Sequence, residues 1–353
     1  MKRMTGYFVW LTLASLAGIV WADDRPEWLT EKLGKKTITL PVDRTLNTEA
    51  VKTPSPVAEP KKEATTDEGR IGMYLDSGQA KAAEDLLKSN GVTISDEPQK
   101  ARAFPAFAPA VGLFKWGQTP DYKLDDLKKL DAAVPMVLRF CDESPEANKT
   151  LADFVVASTA RTFVLVCDKG VGPDMARALA CKNVLYAVLG VGAGENQKPD
   201  EYQAVADRVD ALRGLLGRIS ETPLVLAVDY ANYRAGWIQR LGQRIEERLK
   251  KFDGYAITNA HNFTLFATQT RATICQAVGI DARKPVVLLD FLGTRGGETQ
   301  RTAAVWAAKG KIFAALIQKQ GWAGITFHCA NLKDATFKTK IAATCFATKE
   351  TDK

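Results

Sequence analysis

Apolar and polar positions fall into blocks along this chain, and the blocks change character near residue 108. From there on, short β-branched and apolar runs alternate with amphipathic stretches. The runs are Val111–Phe114, Val134–Phe140, Thr162–Val166, Val184–Leu189, Pro223–Val228, Tyr255–Thr258, Pro285–Leu289 and Gly324–Phe327. Each is nearly continuous in apolar residues, as expected of parallel strands covered on both faces. Each gap holds a helix-like segment, such as Asp200–Ile219 or Gln300–Gln320. Eight such units in about 240 residues predict an α/β fold, a (β/α)8 TIM barrel, over residues 105–347. The alternative is an open doubly wound sheet. The lack of a glycine-rich phosphate loop after the first run argues against it.

The first hundred residues read differently. Met1-Lys2-Arg3, an apolar stretch from Tyr7 to Val20, and Ala22 just before Asp23-Asp24 form an export-signal pattern, which predicts a signal peptide over residues 1–22. The apolar stretch is about 14 residues, short of the ~20 that span a bilayer. A periplasmic or secreted protein is therefore expected, with no stable membrane insertion after signal cleavage. Residues 23–100 read as a largely disordered linker, carrying Thr53-Pro54-Ser55-Pro56 and Glu59-Pro60-Lys61-Lys62-Glu63. Within it, Ala80–Leu87 has helix-forming composition and meets a stop at Asn90-Gly91, and Gly91–Ser95 is a candidate small strand.

Charge and composition narrow the function. The net charge is +7, from 48 Lys and Arg against 41 Asp and Glu. The basic residues are scattered along helical stretches, which fits solvated faces rather than a nucleic-acid footprint. With only two histidines, His261 and His328, the chain has no HxH pair, so a His-based zinc centre is not expected, nor any cofactor. No Gly-x-Ser-x-Gly turn is present, which argues against a serine hydrolase. The six cysteines form no CxxC. Cys141 and Cys167 end adjacent predicted strands and are the pair an exported chain would oxidise; the alternative is that most are small buried apolar residues.

In a β/α barrel, chemistry gathers at the carboxy ends of the strands. Those positions here hold Trp116, Arg139, Asp142 and Glu143, Asp168, the turn Gly190–Asn196 with Glu195, Asp229 and Tyr230, Asn259 with His261 and Asn262, Asp290, and His328 with Asn331. Carboxylates and amides bond sugar hydroxyls, and Trp and Tyr faces stack on a sugar ring. The rim predicts a carbohydrate substrate or ligand. Trp237, Trp306 and Trp322 fall on helices or at the opposite end and are read as core.

Two stretches carry a resemblance. Asn183–Ala227 runs as strand, Gly-rich turn, Asp200-Glu201-Tyr202-Gln203 and helix, and Val286–Phe327 contains Leu289-Asp290, Gln300-Arg301 and Gly321-Trp322-Ala323-Gly324. Together with Arg139 near the end of strand 2, they resemble the retaining β/α-barrel glycoside hydrolase superfamily over roughly residues 108–331. The resemblance implies a secreted hydrolase acting on a polysaccharide or oligosaccharide, with a strand-7 nucleophile at Asp290 and Arg139 holding it ionised. The rim residues Trp116, Asp168, Tyr230, Asn259, His261 and His328 are the candidate substrate contacts, with His261 at a place where the family often has a His or aromatic; the alternatives are rim packing for Trp116 and His328 and a backbone bond for His261. The family places its acid/base Glu at the end of strand 4, where this chain has Val191-Gly192; Glu195 lies three residues on. The strand-7 Glu is here an Asp. Three constructions follow: Asp290 with Glu195, Asp290 with Asp229, or a catalytically inactive barrel that binds glycan or a protein partner. Each Asp also has a plain alternative role, capping the turn or helix that follows it.

Overall fold

The computed structural model describes residues 66–113, 124–141, 145–167, 171–190, 199–229, 250–258, 270–291 and 315–329, with 336, 339, 342 and 343; for 113, 199–206, 229, 277, 290, 291 and 328 it describes the backbone alone. Eight strands close into one barrel in sequence order. They are β1 (Ala108–Leu113), β2 (Met136–Phe140), β3 (Phe163–Cys167), β4 (Val184–Leu189), β5 (Leu224–Asp229), β6 (Gly254–Thr258), β7 (Val286–Phe291) and β8 (Gly324–Cys329). Every neighbouring pair is parallel, including β1 with β8. Followed around the circuit, the registers return to β1 displaced along it, the stagger that tilted barrel strands require.

All eight apolar runs are strands, and their ends differ from expectation for identifiable reasons. Strand β1 begins at Ala108, three residues before the predicted run, because Ala108–Leu113 zips along the whole of β8. Pro109 is tolerated there because β1 meets β2 only at Val111 and Gly112, so no ladder donor is needed from it on that side. Among the barrel helices are α3 (Leu124–Lys128), α4 (Pro145–Ala157), α5 (Pro173–Leu179), α6 (Pro199–Ile219) and α7 (Arg271–Val278). Helix α6 matches the predicted Asp200–Ile219 to within a residue. The predicted Gln300–Gln320 helix is described only at its end, where 315–319 are helical.

Alternation within each strand sorts the core into two parts. Leu138, Phe140, Leu165, Leu189, Leu226, Ile257, Leu288 and Phe327 belong to the cluster shared with the helices. Ala110, Val137, Val166, Val188, Ala227, Ala256, Val287 and Leu289 belong to the barrel interior. Small side chains suit the narrow lumen. The largest among the described interior residues is Tyr186, fully buried and stacked on Phe104 with ring centroids 4.9 Å apart. A Cβ at Gly324 would lie 2.8 Å from the Ala108 carbonyl oxygen and 3.5 Å from the Tyr186 hydroxyl, so that glycine lets strands and ring approach. Trp322 is buried in the outer cluster, with its indole N–H donating to Gln320 Oε1 at 3.1 Å, in keeping with its reading as core.

The arm before the barrel is more ordered than the linker reading implies. Two helices form from Thr66 onward, α1 (Asp67–Asp76) and α2 (Ala80–Ser89), where one was expected. The Thr66 side chain caps α1 by accepting from the Gly69 amide at 3.2 Å. Ile71, Leu75, Ala83 and Leu87 join the same apolar cluster as the barrel helices. The stretch Gly91–Ser95 is not a strand; instead the Ser95 amide donates to the Arg218 carbonyl at 2.9 Å and the Gln99 amide to Gly217 at 2.8 Å. The Arg102 guanidinium then donates to the carbonyls of Lys182 at 2.6 Å and Val184 at 2.8 Å. The expected export signal over 1–22 and the remainder of the linker to residue 65 lie outside the described residues. Among the described residues no helix is long and apolar enough to cross a membrane.

Cys141 and Cys167 are both buried, and they are not bonded to each other. Phe140, not Cys141, is the partner of Cys167 across β2 and β3, so Cys141 stands one step out of phase and the two Cβ vectors diverge. Cys141 is held by its backbone instead: its amide donates to Asn148 Oδ1 at 3.2 Å and its carbonyl accepts from Asn148 Nδ2 at 2.7 Å.

Candidate functional site at the carboxy ends of the strands

The interior changes from apolar to polar toward the carboxy ends of the strands. On β2, Val137 lies in the apolar interior cluster, and Arg139 follows two residues later on the same face, level with Val166 of β3. Arg139 is only 7% exposed. A buried guanidinium makes the barrel end around it favourable to anionic groups. On β8, Thr326 is fully buried and donates to the Leu288 carbonyl at 3.4 Å. On β6, Thr258 makes the same contact with Val228 of β5 at 3.4 Å. These two threonines were missed in the sequence because a single β-branched hydroxyl inside an apolar run looks like strand propensity.

By backbone position, Asp229 and Asp290 lie on the strands around this layer. Asp229 is the last residue of β5, and its backbone pairs with Thr258 of β6. Asp290 lies one residue before the end of β7. Its position depends on an irregularity in the ladder. Leu288 pairs with Ile325, but the next recorded partners are Phe291 and Phe327, so β7 carries one extra residue there. The bulge leaves the Asp290 backbone one step before the Phe291–Phe327 pair, level with Thr326, whose partner on β1 is the interior residue Ala110. Without the extra residue, Asp290 would fall in register with the outward set that contains Leu288. The His328 backbone pairs with Gly112 of β1. Thus Arg139, Asp229, Asp290 and His328 all sit at one end of the barrel, the last three by backbone position. Trp116, Asp168, Glu195, Tyr230, Asn259 and His261 lie outside the described residues.

The end of β4 is distinct. Leu189 is followed by Gly190 at φ 77°, in the left-handed region that favours glycine. A Cβ there would touch Val209 at 3.4 Å and Leu226 at 3.5 Å. The chain therefore leaves β4 through a turn built on a residue with no side chain.

Comparison with known proteins adds little to this. No protein-family model matches the chain, and no curated protein matches it. Solved structures do superpose. A GH113 beta-1,4-mannanase covers 69% of this chain and 100% of its own length at 8% identity and a TM-score of 0.44. A triosephosphate isomerase from Bartonella henselae covers 69% and 100% at 12% identity and a TM-score of 0.37. A dihydropteroate synthase from Xanthomonas albilineans covers 70% and 93% at 14% identity and a TM-score of 0.34. At these values none of them speaks to chemistry. The molecule is a β/α barrel, the architecture that the glycosidase resemblance implied, and that rests on its own closed strand order.

Proposed function

We propose that the chain is an exported glycoside-hydrolase-like barrel acting on a polysaccharide or oligosaccharide. Asp290 is the nucleophile or base, Asp229 or Glu195 is its partner carboxylate, and Arg139 keeps Asp290 ionised. Trp116, Asp168, Tyr230, Asn259, His261 and His328 supply sugar contacts around them. The observation that supports this reading is the placement of Asp229 and Asp290 on β5 and β7, flanking β6, at the barrel end where Arg139 is buried. Strands two apart stand about 9–10 Å from each other. Side chains reaching inward from backbones that far apart span both the ~5 Å of a retaining carboxyl pair and the roughly 6.5–9.5 Å of an inverting one. In an inverting pair one carboxylic acid protonates the leaving oxygen while the other, as carboxylate, takes a proton from the attacking water.

The glycine turn after β4 favours a second reading. It lies where the resemblance implies an acid/base Glu, and its loss fits a catalytically inactive barrel that binds glycan or a protein partner. One set of assays separates the two. Against a panel of plant, fungal and bacterial glycans, the hydrolase reading expects turnover that Asp229→Asn and Asp290→Asn each reduce by about 10³-fold or more. Saturable glycan binding without turnover supports the inactive barrel. Turnover that survives both substitutions overturns the assignment of these residues.

A further inference from the structure

The flank of the barrel holds a polar cavity, of about 560 Å³, between the α1–α2 hairpin and α5. Asp67, Glu68, Asn90, Asp174 and Arg177 line it. Its charges are unequally matched. Arg177 is committed to Asp174 and Asp153, each at 2.8 Å. Asp67 accepts from Asn90 Nδ2 at 3.0 Å and from Arg70 at 3.4 Å. Glu68, in the first turn of α1, is 6% exposed, and no other described residue donates a hydrogen bond to its carboxylate. The side chain occupies a built slot. A Cβ on Gly172 would stand 2.3 Å from Glu68 Cγ and 2.6 Å from Oε1, so only a glycine at that position admits it.

The surroundings make ionised Glu68 costly. Burial is the largest cause pushing its carboxyl upward, and the negative charges of Asp174, Asp67 and Glu146 add to it; its own backbone amide offsets part. A buried carboxylate among carboxylates, with the Arg177 and Arg70 guanidiniums committed to aspartates, has no paired cation among the described residues.

We propose that this cavity binds a small primary amine, whose ammonium group pairs with Glu68 and shares its other protons with the polar wall. An ammonium is a compact cation with three donors, which suits one buried carboxylate beside amide and carboxylate oxygens. A metal ion suits it less, since among the described residues no three His, Cys, Asp or Glu side chains are grouped to hold one. Because the amine stabilises the ionised carboxyl, binding strengthens as pH rises through the elevated Glu68 titration and then levels off.

Calorimetry on the full chain tests this with butylamine, Nα-acetyl-lysine amide and tetramethylammonium, at constant ionic strength, at pH 5 and pH 7.5. The expected result is saturable binding of butylamine that tightens between the two pH values, with tetramethylammonium, which has no N–H donor, about tenfold weaker or absent. A free amine as natural ligand predicts butylamine at least equal to acetyl-lysine amide; a peptide lysine predicts the reverse order. Glu68→Gln keeps the shape and is expected to weaken butylamine about tenfold and remove the pH dependence. Gly172→Ala, which closes the slot without touching a charge, is expected to weaken it as well. Absence of saturable heat from the native chain below roughly 10 mM, or equal binding by Glu68→Gln, overturns the proposal.

Discussion

Replacing Arg218 by alanine should loosen the α1–α2 hairpin from the barrel without disturbing the barrel itself. Arg218, at the end of α6, donates to Glu84 of α2 at 2.7 Å, linking positions 134 residues apart. The Glu84 side chain is 10% exposed, and its two other cations, Lys88 at 2.6 Å and Lys81 at 3.4 Å, are 42% and 72% exposed. Exposed lysine pairs on one helix contribute about 0.3–0.5 kcal/mol each. The arginine bond is enclosed and charge-assisted, and its loss is expected to cost about 1.5–3 kcal/mol. The hairpin then opens about 10- to 100-fold more often. Native-state hydrogen exchange reads this at Leu87 and Val92, whose amides are held inside the hairpin, against a strand amide such as Val111. A second readout comes from pH. The Arg218 hydrogen bond, then that of Lys88, holds the Glu84 carboxyl down at about 2 from an ordinary 4.5. A lowered folded value means the contribution is complete above pH 4.5 and is lost as pH falls toward 2. The Arg218→Ala chain should lack most of that acid-induced loss. Unchanged exchange at Leu87, or an identical acid limb in both proteins, would refute the anchoring role.

Further outcomes follow from the packing and from the other buried carboxyl. Gly324→Ala drives a methyl to 2.8 Å from the Ala108 carbonyl oxygen inside the β1–β8 ladder, and urea unfolding should show a loss of about 2–3 kcal/mol; a loss below about 0.5 would mean the ladder yields freely. Tyr186→Phe removes a buried hydroxyl that has no partner among the described residues, so stability should stay level or rise by up to about 1 kcal/mol, and a clear loss would reveal a bond to that oxygen. Glu68 is raised above its ordinary value, so its contribution is complete below pH 4.5 and declines as pH rises through the raised value, the opposite sense to Glu84. Glu68→Gln should therefore melt higher than the native chain at pH 8 and converge with it near pH 4; a lower melting temperature at pH 8 would contradict the placement.

The barrel was legible because its strands are buried on both faces and so leave unbroken apolar runs. What the runs do not record is register. One extra residue between Leu288 and Phe291 decides which set of positions Asp290 joins, and it changes neither composition nor run length. The same limit explains Cys141 and Cys167: they end adjacent strands, but a one-step offset separates them. Helix α1 was missed because Gly69 and Gly72 weaken its propensity and only Ile71 and Leu75 mark its buried face, so its order derives from packing on the barrel. The Thr66 cap followed by Asp67 and Glu68 was its available signal. Arg139 was legible from its place at the end of strand 2, and its burial was not, since an arginine there can equally reach solvent.

The central claim is a pair of carboxylates, Asp229 and Asp290, working across the mouth of the barrel. It is tested most directly by following the anomeric protons of the first product by NMR during hydrolysis of a glycan of known linkage. Product is predicted from the native chain and lost in both Asp229→Asn and Asp290→Asn, its anomeric configuration showing whether the pair works by inversion or by retention. Product that Asp229→Asn or Asp290→Asn still forms at the native rate would contradict the account.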